Sequence, residues 1–224
     1  METTVLLKSW ISANRKTQNS GLVHVPAVAK SVAGEVRAFC FKETLSEKLR
    51  VSLVEIDCRV CKVRSWRLED AESIVRHANN RKIWLGLRDC FPHPYTDSDA
   101  QDYLRQALST QPETNFAIAH GDEAVGSVGF VLGRDVERHS AEVGYWLGES
   151  MWGHGIATAA LKAATAYALA TYGLWRIFAV PFCENAASIR VLEKAGFVRE
   201  GIMRRSAIKE GRVLDQALYA FVRE

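Results

Sequence analysis

An apolar strand that runs into a glycine-rich turn and then an alanine-rich helix leaves a chain few ways to fold. The stretch from Ala141 to Thr158, AEVGYWLGESMWGHGIAT, has that form. Ala141 to Leu147 reads as an extended strand, and Gly153-His154-Gly155 opens a long helix. The first amides of a helix have no acceptor in the turn before them, and the helix dipole places positive charge at the same end. Glycine at 153 and 155 keeps side chains away from that backbone, so the sequence predicts a phosphate cradle formed by main-chain N–H groups.

The spacing decides which phosphate ligand fits. A Walker loop carries lysine and then serine or threonine after its last glycine, whereas this chain has Ile156 and Ala157. The dinucleotide fingerprint needs a third glycine, where Thr158 stands, and an acidic residue about twenty positions on. That count reaches Gly173 and Leu174. A nucleotide reading would require stabilisation by ATP or NAD rather than by coenzyme A. The segment Trp152-Gly153-His154-Gly155-Ile156-Ala157 instead resembles the acyl-CoA pyrophosphate loop, Q/R-x-x-G-x-G/A, of the GNAT acetyltransferase superfamily. Gly155 and Ala157 match it, and Trp152 stands in place of glutamine or arginine.

A second stretch, Asn185-Ala-Ala-Ser188-Ile-Arg-Val-Leu-Glu-Lys-Ala-Gly196-Phe197, resembles the N-x-x-(A/S)-x-x-x-(Y/L)-E-K-x-G-F helix of the same superfamily. Between the two stretches there is room for one helix and one strand, Leu174 to Val180, as a βαβ crossover needs. The resemblance covers about residues 60–224 and leans towards the ribosomal-protein-alanine N-acetyltransferase (Rim-type) branch through GYWL, WGHGIAT and NAASIRVLEKAGF. It implies an α/β (α+β) fold, with a central mixed, mostly antiparallel sheet that holds a parallel splayed strand pair and is flanked by helices. It also implies acetyl-CoA as donor and an amine as acceptor, with a protein N-terminal α-amine the leading expectation. Polyamines and antibiotics are the alternatives within the superfamily, and a non-catalytic acyl-CoA sensor is a further one, motivated by Trp152 and Leu192, which both depart from the commoner pattern.

The 224 residues suit one domain with an attachment, and 48% hydrophobic and 25% charged residues are ordinary for a globular core. A formal net charge of +3, without a stripe of basic and aromatic residues, gives no reason to expect a nucleic acid partner. Cys40, Cys58, Cys61, Cys90 and Cys183 form an odd, scattered set, which predicts reduced thiols in a cytoplasmic setting. The C-x-x-C of Cys58 and Cys61 has no second pair to complete a four-ligand zinc site, so no metal is expected and these read as ordinary strand cysteines. No run is long and apolar enough to span a bilayer. The opening lacks a secretory signal, although its acid-poor, serine-containing composition leaves an organelle-targeting reading open. A monomer or a homodimer is expected.

Residues 1–59 mix short apolar runs with polar breaks and are set apart as an extension of unknown role, with a helix expected over residues 42–53. The domain proper is expected over residues 60–224. Alternation from Val60 to Leu68 predicts its first strand, and a helix follows from Glu69 to Asn79. Residues 87–97 read as a loop in which His93 and Tyr95 either touch the acceptor or pack the loop. A helix capped by Thr96 or Asp97 follows to Leu108, then a hairpin from Asn115 to Leu132 in which Gly126 and Gly129 permit close backbone approach. The helix after the cradle shows Ile156, Ala160, Ala163, Ala164, Tyr167 and Ala168 on one face. A helix over residues 185–195 and a hairpin turning at Glu210-Gly211 complete the chain. Arg204, Arg205, Lys209 and Arg212 near that hairpin read as a solvated face, with contact to an acidic acceptor or a phosphate as the alternative.

Acetyl transfer to an amine needs the thioester held, its carbonyl polarised, and a proton removed from an ammonium whose resting pKa is about 8 for an α-amine. The cradle of Trp152, Gly153, His154, Gly155, Ile156, Ala157 and Thr158 meets the first need. The resemblance adds cofactor contacts from Tyr145, Trp146 and Leu147 at the end of the preceding strand, and from Asn185 and Ser188. It also implies that backbone donors of the splayed strand lie near the carbonyl. Glu142, on the central strand, is the candidate base, since a carboxylate in a partly dry cleft has its pKa raised. Where many members carry a general-acid tyrosine, this chain has Leu192, so the proton for the leaving thiolate is assigned to Ser188. Asn185 is expected to cap its helix while reaching the pantetheine. Cys183 has no histidine near it in sequence to activate it as a nucleophile, and His154 is read as exposed or touching a phosphate.

Overall fold

The computed structural model describes residues 53–224; the helix expected over residues 42–53 therefore lies outside the described residues, apart from its last residue. The strands are β1 (Glu55–Asp57), β2 (Lys62–Arg64), β3 (Asn115–His120), β4 (Glu123–Leu132), β5 (Ser140–Leu147), β6 (Arg176–Ala179), β7 (Val198–Lys209) and β8 (Arg212–Val222). They form one eight-stranded sheet in the order β1-β2-β3-β4-β5-β6-β8-β7. Each neighbouring pair is antiparallel except β5 and β6, which run parallel. The helices are α1 (Ala71–Ala78), α2 (Arg81–Leu85), α3 (Asp97–Ser109), α4 (Ile156–Thr171) and α5 (Ala186–Lys194). The mixed, mostly antiparallel sheet with one parallel pair is the architecture expected from the sequence.

Side-chain alternation along the strands divides the core between the two faces of the sheet. On one face Phe116, Ile118, Val128, Phe130, Val143 and Leu147 pack with Ile156, Ala160, Leu161 and Ala164 of α4 and Leu192 of α5. On the other, Ala117 and the half-buried Trp146 pack with Ile74 and Ala78 of α1, Ala100 and Leu104 of α3, and Trp66 and Tyr95. The small residues of α4 let its backbone lie close to the sheet. The buried stripe of α4 runs through Ile156, Ala160, Leu161, Ala164, Thr165 and Ala168; Ala163 and Tyr167 of the expected face pack against the same core half-buried, and Leu161 and Thr165 widen that face. Gly126 is needed for close approach, because a Cβ there would lie 2.4 Å from the Trp146 carbonyl oxygen.

Four local expectations are corrected. The sheet begins at Glu55, before the Val60 boundary read from the sequence, because β1 pairs with β2 through Glu55↔Arg64, Ile56↔Val63 and Asp57↔Lys62. The strand expected from Val60 to Leu68 lasts only from Lys62 to Arg64. It stops because the Asp70 carboxylate accepts from the Arg67 amide at 2.8 Å and the Asp70 amide donates to Arg67 O at 3.1 Å, turning the chain into a 3₁₀ segment, Leu68–Asp70, ahead of α1. Short α2 was not foreseen; Asn80, just past the expected end of the preceding helix, starts it by accepting from the Lys82 amide at 2.8 Å. Lys209, read as part of a solvated face, is buried against Trp84 and Asp89.

Candidate active site

Between β5 and α4 the chain passes through a short 3₁₀ turn, Glu149–Met151, and then through the exposed residues Trp152, Gly153, His154 and Gly155. Gly153 and Gly155 have φ of 82° and 77°, in the left-handed region that favours glycine. Nothing lies within 4 Å of where a Cβ would sit on either, so the space in front of this backbone is open. No side chain caps α4, and the first bond made to its N-cap carbonyl is the Ala159 amide on Gly155 O at 3.0 Å. The amides of residues 153–158 therefore have no acceptor among the described residues. Ile156 sends its side chain into the core, Ala157 and Thr158 are half-buried, and His154 is fully at the surface. Trp152, at the position where the motif has glutamine or arginine, donates its indole N–H to Leu147 O at 2.8 Å. That bond ties the loop to the end of β5.

β5 and β6 are in register only at Ser140↔Arg176, Ala141↔Ile177 and Glu142↔Phe178. β5 continues to Leu147 without a β6 partner, while the chain after β6 turns towards α5. The two parallel strands thus part beyond Glu142, leaving a gap that opens towards the cradle. Leu147 itself is buried in the core, so its contribution at the gap is main-chain only.

On the α4 and α5 side of this gap, Asn185 caps α5 by accepting from the Ser188 amide at 3.0 Å. The Ser188 hydroxyl lies 2.8 Å from the Tyr145 phenol oxygen, which also donates to Ser188 O at 3.1 Å. Burial pushes the Tyr145 phenol up to about 12, against the opposing effect of Ser188, so it stays protonated as a donor. Leu192 is fully buried in the core. The structure therefore brings Tyr145, Asn185 and Ser188 together. The Tyr145–Ser188 pair spans 43 residues of sequence, and only the strand parity that puts Tyr145 on the helix face hinted at it.

Glu142 lies on the opposite face of β5, with Trp146, whose ring meets Phe91 edge-on at 5.8 Å. Burial pushes the Glu142 carboxyl up, while an ion pair with Arg88 opposes the shift. Arg88 comes from the loop after α2, and nothing in the sequence marked it. Tyr95 is 5% exposed and packs its ring 5.0 Å from Phe91, while His93 stacks on Trp84 at 5.6 Å. Both serve loop packing. The Cys183 thiol is raised by burial and by Asp215, opposite to what a nucleophile needs.

A cavity of about 270 Å³ lies between α2, the start of α5 and the β7–β8 turn. Asn185 and Gly86 wall one side, the Asn185 amide nitrogen lying 2.8 Å from where a Gly86 Cβ would be. The charged lining is Lys82, Lys209 and Arg212 against Glu184 and Glu210. Arg212 pairs with Glu184 at 2.7 Å, Glu210 with Arg81 at 2.5 Å, and Lys209 with Asp89 at 2.8 Å. Among the described residues there is no group of three or more His, Cys, Asp or Glu placed to hold a metal, and no helix long and apolar enough to cross a membrane.

Residues 61–198 match the family described as the acetyltransferase (GNAT) domain. An uncharacterized N-acetyltransferase p20 of Bacillus licheniformis is 29% identical over 72% of this chain and 92% of its own length. The spermidine N(1)-acetyltransferase of Escherichia coli K12 is 28% identical over 62% of this chain and 74% of its own. The ribosomal-protein-serine acetyltransferase of the same strain is 31% identical over 47% and 58%. Among solved structures, Mycobacterium smegmatis RimJ in complex with CoA-disulfide superposes with a TM-score of 0.66 at 25% identity, covering 76% of this chain and 86% of that one. With the family matched over most of the sequence and the fold shared, the chain belongs to the GNAT acetyltransferase family and is an acyltransferase, an N-acetyltransferase of that family.

Proposed function

We propose that the protein transfers an acetyl group from acetyl-CoA to a primary amine, and that the acceptor is a protein N-terminal α-amine. The observation that carries this reading is the row of unpartnered amides at residues 153–158, set beside a parallel strand pair that parts after Glu142. When bound, acetyl-CoA supplies an activated thioester. Amides 153–158 hold its diphosphate without a charged side chain, as helix N-termini do. The absence of any atom in front of Gly153 and Gly155 is what such a group requires. Free main-chain donors of β5 beyond Glu142 polarise the acyl carbonyl.

Proton handling falls to the two faces of the sheet. Glu142, with its carboxyl raised by burial, takes a proton from the acceptor ammonium on the Trp146 face, and Arg88 fixes its orientation. Ser188 Oγ, backed by the buried Tyr145 phenol, returns a proton to the thiolate on the helix face. Asn185 keeps Ser188 in place through its cap and offers its amide at the entrance to the cavity. This residue set is our assignment of the catalytic and binding roles. The residues ahead of the sheet are proposed to be an extension outside the catalytic unit.

The cavity supports the choice of acceptor. Glu184 and Glu210 are both paired, so the lining has no free carboxylate to attract a polycation such as spermidine; its cations are paired as well, Lys82 with Glu149, Lys209 with Asp89 and Arg212 with Glu184, so it meets a peptide through hydrogen bonds rather than net charge. The relatives include both acceptor types, a spermidine and a ribosomal-protein acetyltransferase. Free thiols at Cys58, Cys61, Cys90 and Cys183 support a reducing, cytoplasm-like setting. A panel of N-terminal peptides and small amines with acetyl-CoA, followed by thiol release, tests the reading. Peptide α-amines are expected to give the higher kcat/KM. Preference for spermidine would overturn the acceptor, and absence of turnover with every amine would overturn the activity.

A further inference from the structure

The Cys58 and Cys61 pair plays no part in the reading above, yet it is built with care. Asp57↔Lys62 is the last registered pair of the β1–β2 hairpin, so Cys58 and Cys61 face each other next, across Arg59 and Val60. The Cys58 amide donates to Cys61 O at 2.9 Å. Val60 N–H turns back onto Cys58 O at 2.9 Å, across Arg59 at φ 67°, a tight and uncommon γ-turn for a residue other than glycine. The Arg59 amide is held by Asp57 Oδ1 at 2.7 Å, which fixes this geometry. Directly opposed residues of a hairpin place their Cβ atoms on the same face at about 5 Å, within reach of disulfide closure after small adjustment.

The two thiols are also unlike each other. The Cys58 thiol donates to Ile56 O at 3.6 Å, and the nearness of the two sulfurs holds Cys58 below its ordinary range and, with burial, holds Cys61 above it. Cys58 is half-buried and Cys61 is 6% exposed. That division of labour, a more accessible thiol shifted towards its attacking form beside a buried resolving thiol, is the arrangement that dithiol–disulfide exchange uses. The Cys61 sulfur further contacts Ile156 O at 3.8 Å, at the residue that opens α4 and whose amide belongs to the cradle.

We propose that Cys58 and Cys61 form a redox-active dithiol that low-molecular-weight disulfides of the oxidised-glutathione class convert to an intramolecular disulfide, and that this oxidation loosens the cradle. The Cys58 thiolate attacks one sulfur of the small disulfide, forming a mixed disulfide and releasing one small thiol. The Cys61 sulfur, losing its proton to solvent, then attacks Cys58 Sγ and expels the second small thiol, so two protein thiols are oxidised as one disulfide is reduced. Closure takes the Cys61 S–H off the Ile156 carbonyl. The second half of the proposal rests on the acetyl-CoA reading of the cradle; the first does not.

The full chain is treated with oxidised glutathione and digested with trypsin under non-reducing conditions. Because trypsin cuts after Arg59 and after Lys62, the fragment ending at Arg59 is expected to stay joined to the fragment ending at Lys62 until reductant is added. Cys58→Ser and Cys61→Ser are each expected to abolish that linked product. Stable glutathione adducts on Cys58 without closure, or thiols that remain fully alkylatable after treatment, would overturn the dithiol. Acetyl-CoA, which carries no free thiol to reverse the reaction, is then titrated into reduced and oxidised protein by calorimetry. Binding to the oxidised form is expected to be weaker by about two- to fivefold, the equivalent of one weak sulfur hydrogen bond. Equal affinities would overturn the link to the cradle, and no binding by either form would count against the acetyl-CoA reading instead.

Discussion

Glu142 is pulled two ways. Burial favours its neutral form and Arg88 its charged form, with burial the larger influence. A base works only when ionised, so kcat/KM is expected to fall as pH drops through a value above the ordinary carboxylate range. Glu142→Gln should lower kcat by about 10²- to 10⁴-fold and flatten that limb. Arg88→Ala removes the opposing charge, so the limb should move to higher pH while the alkaline side stays put; an unmoved limb in a pH–rate profile would sink this role for Arg88. Across the gap, Tyr145→Phe deletes two neutral hydrogen bonds to Ser188, to its Oγ and its main-chain O, and should cost about 1–2 kcal/mol of transition-state stabilisation, with the KM for acetyl-CoA little changed. A matching rise in KM with unchanged kcat would show Tyr145 to be a binding residue instead. Glu142 and Ser188 could be nominated from the sequence because each sits in a stretch that resembles the family pattern. Arg88 reaches Glu142 from 54 positions away, and no local pattern encodes such a meeting.

Elements are legible in proportion to their length and periodicity. α3, α4, α5 and the 115–132 hairpin fall close to where their caps and alternation put them, and Thr96, Asn185 and Tyr172 all stand at the expected ends. The five-residue α2 and three-residue β1 escaped, because neither completes enough periods to show a face. The open turn before α4 was readable for a different reason: Gly153 and Gly155 mark its left-handed backbone, and the role proposed for it needs backbone rather than side chains. Gly155→Ala separates the two consequences of that glycine. Its φ of 77° should cost an alanine about 1–2 kcal/mol of fold stability, and there is no protein atom for the new methyl to strike. The methyl instead enters the space reserved for ligand, so the KM for acetyl-CoA should rise more than the stability loss alone explains. Thermal melts and KM measured on the same preparation check this; a stability loss without a KM change would remove the phosphate group from this turn.

At the scale of the whole molecule, one sheet carries two cores among the described residues, and the proposed chemistry draws on both of its faces at a single gap. The parallel β5–β6 pair was legible from the crossover between the two motifs, whereas the insertion of β8 between β6 and β7 was not, since it depends on long-range pairing such as Phe178↔Ala220. Nor was the polar tie on the α1 and α3 side. Arg64, on β2, makes a two-pronged pair with Asp70 ahead of α1, at 2.8 and 2.7 Å, and also donates to Asp122 O at 3.2 Å in the β3–β4 turn. Asp70 in turn accepts from the Arg67 amide at 2.8 Å, the bond that turns the chain after β2. Both side chains are almost wholly buried, at 4% and 7% exposure, so neither can fall back on water. Removing one partner leaves an uncompensated buried charge, and Asp70→Ala should lower the unfolding free energy by about 3–5 kcal/mol. Replacing both at once, Arg64→Met with Asp70→Leu, removes the stranded charge as well as the pair, so it should recover a large part of that loss. Denaturant midpoints at unchanged m-value report the difference. If the double variant is as unstable as Asp70→Ala, the loss comes from the Arg67 amide and Asp122 contacts rather than from desolvated charge, and the tie acts as a set of hydrogen bonds that position β2 against α1.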